Sequence, residues 1–253
     1  MTARPRPTRA LGWLITSIGL AAGAVLWEIV GRNTGAAFVA PLSETLKVLL
    51  APEVWRALGS SLALFAAGFA LSVVVGIPLG LLLARMRLLR VALESYIAIL
   101  NATPMAALIP FILSMMGFDF APKVLVVFLF AVFPILYNTV EGARSIRPEL
   151  IEVARSFRSS ERALWRDVLL PFVLPFALTG IRQAIGRALV GMVAAEFFLS
   201  ASGIGMTLQS AAQSFDTATI FAAILLVTLL GVALMELGGA LESHYAAWRN
   251  IRK

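Results

Sequence analysis

Charged side chains inside long apolar runs are the residues of this sequence best placed to do chemistry. Arg182, Arg187 and Glu196 lie in one such run, 171–198. An ionisable residue at membrane depth marks a solute or ion path by default. Arg182 stands about 11 residues into the run, roughly 16 Å along a helix. It either attracts an anion or pairs with a carboxylate or carbonyl of the bundle, and Arg187 faces a different side.

Several other kinds of chemistry are excluded by the residues that the sequence lacks. There is no G-x-x-x-x-G-K-[ST] nucleotide motif, no cysteine, and one histidine, so no H-E-x-x-H zinc site is possible. No paired carboxylates lie together in an apolar run. We therefore expect no ATP hydrolysis by this chain, no cofactor and no metal, and we interpret His244 as a solvated tail residue.

Composition places the chain in the membrane. Of 253 residues, 60% are hydrophobic and 14% are charged, whereas soluble domains carry roughly 25% charged residues. We predict an all-α polytopic membrane bundle of about six transmembrane helices. Residues 1–10 form a basic arm, 11–240 a single transmembrane domain and 241–253 a tail. The predicted spans are 11–30, 57–84, 91–117, 121–140, 171–198 and 217–240.

Two of these spans have alternative interpretations. The first, 11–30, resembles a cleaved signal peptide in its small residues at 21–24, but it stays apolar to Trp27, which favours an uncleaved span. The third is interrupted by Pro104 and Pro110 and carries Asn101 and Thr103. It is either a kinked packing helix or a helix that lines a pathway, where freed backbone groups can meet water or protein.

Basic residues in alternate loops predict the orientation. Fifteen arginines and lysines lie in the N-terminal arm, the 85–90 turn, the 144–166 loop and the tail, against four in the loops of the opposite side. Short loops rich in basic residues stay cytoplasmic, so both termini are expected inside. The same distribution explains the net charge of +7 without nucleic-acid binding.

The longest polar interval, 141–175, predicts two short amphipathic helices on the cytoplasmic side. Pro148 suits the first turn of the first helix. Leu150, Ala154 and Phe157 fall on one stripe of that helix, opposite Glu149, Glu152 and Ser156. Ser159 and Ser160 offer N-caps for a second helix from about Glu161. Such helices suit contact with a partner protein.

The spacing of this interval resembles the loop signature of permease subunits of binding-protein-dependent ABC importers. That signature is E-A-A, three residues, Gly, nine residues, I-x-L-P. The chain has Glu152-Val153-Ala154, Arg158 at the glycine position, and Val168-Leu169-Leu170-Pro171. Further segments resemble the nitrate/sulfonate/taurine branch: Ser61-Leu62, Gly76–Gly80, Pro104 and Pro110, Gly180–Arg182, Gly186–Ala188, Ala195-Glu196 and Gly203–Gly205.

The resemblance implies the partners and the site. It implies a permease in a bacterial inner membrane with a second permease copy, ATP-binding subunits and a periplasmic or lipid-anchored solute-binding protein. The loop, 142–170, would couple to the ATPase and drive alternating access. The implied ATPase contacts are Pro148, Glu149, Leu150, Glu152, Ala154, Arg155, Phe157, Arg158, Ser159 and Ser160. The candidate pathway residues are Asn101, Thr103, Pro104 and Arg182.

Two residues depart from the family pattern. Leu64 stands where an arginine is expected, and Arg158 stands where the family has glycine. Glycine is preferred at a helix C-terminus because it adopts the left-handed conformation without strain. We hypothesise that the turn is rebuilt around Ser159 and Ser160, so that Arg158 avoids the left-handed region.

The main alternative function is a secondary transporter or channel that needs no ATPase. The lack of membrane-buried carboxylates suited to ion coupling argues against it, as does a polar loop of a size to bind a partner. An intramembrane enzyme is a third alternative, which the scarcity of histidine, cysteine and clustered acids disfavours.

Overall fold

The computed structural model describes residues 9–35, 38–199 and 202–246, and within these ranges the chain is helical with short connections. A π-helical segment, Leu164–Leu169, joins α8 to α9. The α-helices in chain order are α1 (Arg9–Thr34), α2 (Leu42–Leu49), α3 (Pro52–Arg85), α4 (Arg87–Ala102), α5 (Met105–Met116), α6 (Phe120–Arg144), α7 (Pro148–Ser156), α8 (Glu161–Ala163), α9 (Leu170–Leu199), α10 (Ile204–Gln213) and α11 (Thr217–Ala246).

The number of membrane spans agrees with the sequence prediction. Within the described ranges, five helical stretches are long and apolar enough to cross a bilayer, in α1, α3, α6, α8–α9 and α11. The pair α4–α5 makes a sixth if counted as one span, bent by 97°. The prediction of an all-α polytopic membrane bundle is confirmed.

The bend of the third span lies at Pro104 and not at Pro110. Thr103 takes an extended conformation, ψ 133°, as expected of a residue before proline. Pro110 lies inside α5 without interrupting it. The first proline alone therefore separates the two half-helices.

The second predicted cytoplasmic helix is not a separate short helix. Helical structure runs from Glu161 through the π-helical segment into α9, and α9 begins at Leu170, one residue before the predicted start of the fifth span at Pro171. Neither Pro171 nor Pro175 ends the helix. Single π-helical turns are known local irregularities within longer α-helices.

The chain divides into two compact units, of which the first comprises Met1–Trp55 and Thr207–Leu226. In this unit, side chains near the end of α1 form hydrogen bonds with the segment before α2 and with the first turn of α2. Nε1 of Trp27 donates to the carbonyl of Ala40 at 3.1 Å, and the carboxylate of Glu28 accepts from both the backbone N–H and the hydroxyl of Ser43, each at 2.9 Å.

The second unit, Arg56–Met206 and Val227–Lys253, holds the main apolar core. Helices α6 and α9 form its centre, where glycines on each helix let the partner approach closely. A Cβ at Gly180 would lie 2.9 Å from the carbonyl oxygen of Pro134, and one at Gly191 would lie 2.9 Å from Cβ of Phe130. Leu64 is buried in the same core, which gives an apolar reason for leucine at this position.

Small residues of α3 pack closely against α6. A Cβ at Gly76 would lie 3.0 Å from the Ile135 side chain, and one at Gly80 would lie 2.8 Å from the Thr139 side chain. These glycines bring α3 against α6, as small residues do in membrane helix pairs. Pro78, between them, lies within a continuous α3.

Candidate functional site

The first loop helix, α7, presents apolar side chains to solvent. It begins with Pro148 at its first turn and has no buried residue. The exposed fractions are 43% for Leu150, 54% for Val153 and 82% for Phe157. Ala154 is half-buried. Exposed apolar side chains grouped on one helix are typical of a site of interaction with another protein or a membrane.

The other side of α7 faces the ends of the membrane helices. Ile151 and Arg155 line a cavity of about 170 Å³ together with Leu81 and Arg85 of α3 and Trp165 of the π-helical segment. The sequence left open which side meets the membrane helices. The structure places Ile151 and Arg155 there, and leaves Leu150, Val153 and Phe157 outward.

The end of α7 contradicts the hypothesis that Arg158 avoids the left-handed region. Arg158 has φ 54°. Its N–H donates to the carbonyl of Arg155 at 2.8 Å, and the Ser159 N–H donates to the carbonyl of Ala154 at 3.1 Å. This pair of bonds is the Schellman motif. The backbone therefore keeps the turn that glycine would favour, and Arg158 adopts the strained left-handed conformation.

Ser160 caps the next helix, as the sequence suggested. Its hydroxyl accepts from the Ala163 N–H at 3.2 Å. Just beyond, Arg85 of α3 pairs with Glu161 at 2.9 Å, and its guanidinium lies 5.6 Å from the ring centre of Trp165. Arg85 thus ties the loop to the end of α3. The sequence marked Arg85 only as a basic turn residue.

We expect Arg158→Gly to stabilise the end of α7. A non-glycine residue in the left-handed region costs about 1–2 kcal/mol, partly offset by the entropy that glycine loses on folding, about 0.5–1 kcal/mol. Amide hydrogen exchange across 148–160 should slow slightly in this variant. In the matched control Arg155→Gly, glycine lies in helical conformation, and exchange should quicken. Faster exchange in Arg158→Gly would contradict the strain argument.

A cavity of about 380 Å³ lies at the bend between α4 and α5. Asn101 and Thr103 from the bend and Arg187 from α9 line it. Nη1 of Arg187 donates to Oδ1 of Asn101 at 3.1 Å. The remaining wall is uncharged, formed by Met105, Leu129, Phe130, Phe133, Gly186 and Val190. A single guanidinium in such a wall favours a small anion or polar solute.

Arg182 lies elsewhere in the unit. Its Nη1 is 3.4 Å from Oε2 of Glu242 on α11, and the hydroxyl of Thr179 donates to Oε1 of the same carboxylate at 2.6 Å. The Arg182 side chain also packs against Gly238 and Gly239. The structure thus joins Arg182 to a carboxylate of the bundle and brings Arg187 to Asn101 and Thr103. The sequence did not single out Glu242.

At the other end of α9, a buried carboxylate holds three segments together. Glu196 is 2% exposed. Its Oε2 accepts from the Ser61 hydroxyl at 2.8 Å and from the Gly205 N–H at 3.0 Å. The Ser61 oxygen accepts in turn from the Ile204 N–H at 2.9 Å. The segments that contain Ser61, Glu196 and Gly203–Gly205, which are separate in the sequence, therefore form one hydrogen-bonded cluster. We call it the Glu196 cluster.

Within the described residues, no group of three or more His, Asp or Glu side chains could hold a metal ion. The site consists of protein surfaces and one polar cavity. A loop helix with exposed apolar side chains, a bent span and a polar cavity beside that bend are features expected of a multi-span transport protein.

The chain belongs to the family described as the binding-protein-dependent transport system inner membrane component, whose model matches residues 76–246. It is thus a permease subunit of an ABC importer in the inner membrane, which works with an ATP-binding subunit and a solute-binding protein. The family supports this function and not an ATP-independent carrier or channel.

Relatives of known description include permeases named for several solutes. The protein named for aliphatic sulfonates transport, SsuC of Bacillus subtilis (strain 168), is 30% identical over 98% of this chain and 92% of its own length. The nitrate import permease NrtB of Synechocystis is 28% identical over 90% and 87%. The bicarbonate transport permease CmpB of Synechococcus elongatus is 30% identical over 88% and 86%. The resemblance to the nitrate/sulfonate branch is confirmed.

Solved structures share the fold. An inward-facing structure of the MetNI methionine ABC transporter superposes with a TM-score of 0.61 at 21% identity, covering 81% of this chain and 99% of that one. An amino acid ABC transporter solved with histidines gives 0.58 at 17% identity, covering 79% and 95%.

Proposed function

We propose that α7 docks on a separate ATP-binding subunit and that its movement opens and closes a pathway between two copies of this chain. The exposed apolar side of α7 is the observation that carries this proposal. An isolated helix of nine residues is only marginally stable in water, because helices shorter than about 12 residues depend on tertiary packing. A groove on the partner would bury Leu150, Val153 and Phe157.

The proposed ATPase contact extends along the loop from α7 into the following turn. The residues beyond the apolar side are polar and exposed, as the rim of an interface is. Apolar and polar residues together, the proposed ATPase contact comprises Pro148, Glu149, Leu150, Glu152, Ala154, Arg155, Phe157, Arg158, Ser159 and Ser160. Arg155 would serve both surfaces, because it also lines the cavity under α7.

A homodimer is supported by the charges in the middle of α9. Arg182 and Arg187 both lie within three residues of the centre of Leu170–Leu199, and both are exposed in the single chain. A charged side chain at mid-depth faces protein or water and not lipid. We infer that the middle of α9, with Arg182 and Arg187 on different sides of the helix, faces a second copy and an aqueous path, and that two ATP-binding subunits serve the pair.

We further propose that the solute is a small anion and that Arg187, with Asn101, Thr103 and the Pro104 bend, forms its path. The relatives named for sulfonates, nitrate and bicarbonate transport support an anion. Arg182 lies on another side of α9, where it pairs with Glu242, and its side chain remains 45% exposed.

Arg187→Gln should reduce solute uptake by assembled transporter at least about tenfold, since a hydrogen bond to a charged group contributes about 1.5–3 kcal/mol. The matched variant Arg182→Gln should lower the amount of assembled protein, because Glu242 then lacks its partner, and leave the apparent affinity for solute less changed. Uptake and the quantity of folded protein are measured together. Unchanged uptake by Arg187→Gln would remove Arg187 from the path.

Both termini are proposed to be cytoplasmic, with the start of α6 at Lys123 and the start of α11 after Asp216 outside. The asymmetry of basic residues between alternate loops supports this orientation. Reporter fusions at these two positions should give an external signal, and a cytoplasmic signal at either would refute it.

Partner dependence is the experiment that tests the proposed function as a whole. The purified chain alone should neither hydrolyse ATP nor accumulate solute in vesicles against a gradient. Adding the ATP-binding subunit and the binding protein should give both activities. Uphill transport by the chain alone would show that it is a secondary carrier.

A further inference from the structure

A third cavity, of about 60 Å³, lies between α4 and α6 near the ends of these helices that we propose to be cytoplasmic. Ile97 and Leu136 form part of its apolar wall. Four charged residues surround it, Arg90 and Glu94 on α4 and Glu141 and Arg144 on α6. We call this cavity the cytoplasmic mouth and the one beside Arg187 the central cavity.

The two cavities lie along one side of α4, which we call the crevice. Along α4, Arg90 of the mouth and Asn101 of the central cavity are eleven residues apart, and along α6, Phe133 of the central cavity and Arg144 of the mouth are also eleven apart. Eleven residues make about three helical turns and about 16 Å of rise. The helices run in opposite directions, so equal spacings place both pairs at matching levels.

The four charges of the cytoplasmic mouth are available for binding. The spacings 90–94 and 141–144 would allow ion pairs within each helix. Within the residues that the structure describes, none of the four has an ion-pair partner within 4.0 Å. Glu94, Glu141 and Arg144 are exposed, and Arg90 is half-buried. Two arginines and two glutamates therefore line an open, partly apolar cavity.

We propose that the cytoplasmic mouth is a second anion-binding station, where Arg90 and Arg144 receive a small oxyanion that has left Arg187 and pass it to the cytoplasm. This inference rests on the proposed function and adds an exit to it. Guanidinium groups suit oxyanions because they donate several hydrogen bonds in one plane. Glu94 and Glu141 compete for the same guanidinium groups, which keeps binding weak enough for release.

The absence of cysteine gives a direct test with single-cysteine variants of the full transporter. Ile97→Cys lies on the crevice, and Ile99→Cys lies on another side of α4, where the side chain is 64% exposed. Two thiol reagents of similar size serve as probes: the anionic sulfonatoethyl methanethiosulfonate, itself a small sulfonate, and the cationic trimethylammonioethyl methanethiosulfonate. Labelling of this chain is measured in nanodiscs without ATP.

We expect the ratio of the anionic to the cationic labelling rate to be higher for Ile97→Cys than for Ile99→Cys, and sodium methanesulfonate to slow the anionic labelling of Ile97→Cys. Adding Arg90→Gln or Arg144→Gln should shift the ratio of the two rates toward the cationic reagent by roughly fivefold or more, because one unit charge a few ångströms away acts oppositely on the two reagents. Ile99→Cys should show no such shift.

An unreactive Ile97→Cys, or a rate ratio that ignores both arginine substitutions, would overturn the proposal. So would labelling that methanesulfonate leaves unchanged but phosphatidylglycerol in the nanodisc slows, since the mouth would then hold a lipid phosphate. ATP hydrolysis with the partner subunits is measured on the same preparations. Absence of ATP hydrolysis with the unmodified, cysteine-free chain would instead count against the proposed function.

Discussion

Gly205→Ala is expected to prevent the protein from accumulating in folded form. A Cβ at this position would lie 2.6 Å from the Phe197 nitrogen and 2.6 Å from the Val193 carbonyl oxygen, and it would overlap Cβ of Glu196. Two of these atoms belong to the backbone of α9 and cannot rotate away. Overpacking of this kind costs about 3 kcal/mol or more. It would also displace the Gly205 N–H from Glu196.

Gly59→Ala is the matched control for this experiment. Gly59 lies within α3, and a Cβ there would meet no atom within 4 Å. Alanine is favoured over glycine inside a helix by about 1 kcal/mol, so this variant should be as stable as the parent or slightly more so. Membrane abundance and thermal unfolding are compared. Normal abundance and stability of Gly205→Ala would show that the Glu196 cluster is looser than described.

Periodic and local features of the fold were predictable from the sequence. Apolar runs gave the spans, Pro104 gave the bend, and Pro148 and Ser160 gave two helix starts. Each depends on residues close together in the chain. The second loop helix was expected to be separate from the fifth span, but a π-helical segment continues the helix from Glu161 into α9. Neither Pro171 nor Pro175 ends it.

Arg158 shows where residue preference misleads. The sequence has arginine at the family's glycine position, and we hypothesised that the backbone there avoids the left-handed conformation. The Schellman bonds from Arg158 and Ser159 to carbonyls of α7 instead keep the turn. Satisfying those carbonyls outweighs the modest strain of a left-handed arginine.

The pairings of the charged residues required three-dimensional structure. Ser61 and Glu196 are 135 positions apart, and Arg182 and Glu242 are 60 positions apart. Spacing within one helix says which residues share a side, but not which helix covers that side. The sequence therefore favoured Arg182 as the pathway arginine, whereas the partners Glu242 of Arg182 and Asn101 of Arg187 favour Arg187.

Phe157→Asp is expected to uncouple the permease from its ATP-binding subunit. Phe157 is the most exposed of the apolar side chains on the outward side of α7, at 82%, so its removal leaves the fold of this chain intact. Buried aromatic residues at the centre of an interface contribute about 2 kcal/mol or more when truncated. An aspartate would in addition bring an unpaired charge into an apolar groove.

The central claim is tested most directly by ATP-driven solute uptake in vesicles that contain this chain, its ATP-binding subunit and the binding protein. Phe215→Asp is the control, since Phe215 is 77% exposed, also has a positive φ, and lies in a loop proposed to be external. We predict that Phe157→Asp loses co-purification of the ATP-binding subunit and uptake, whereas Phe215→Asp keeps that co-purification. Full assembly and uptake by Phe157→Asp would contradict docking through α7.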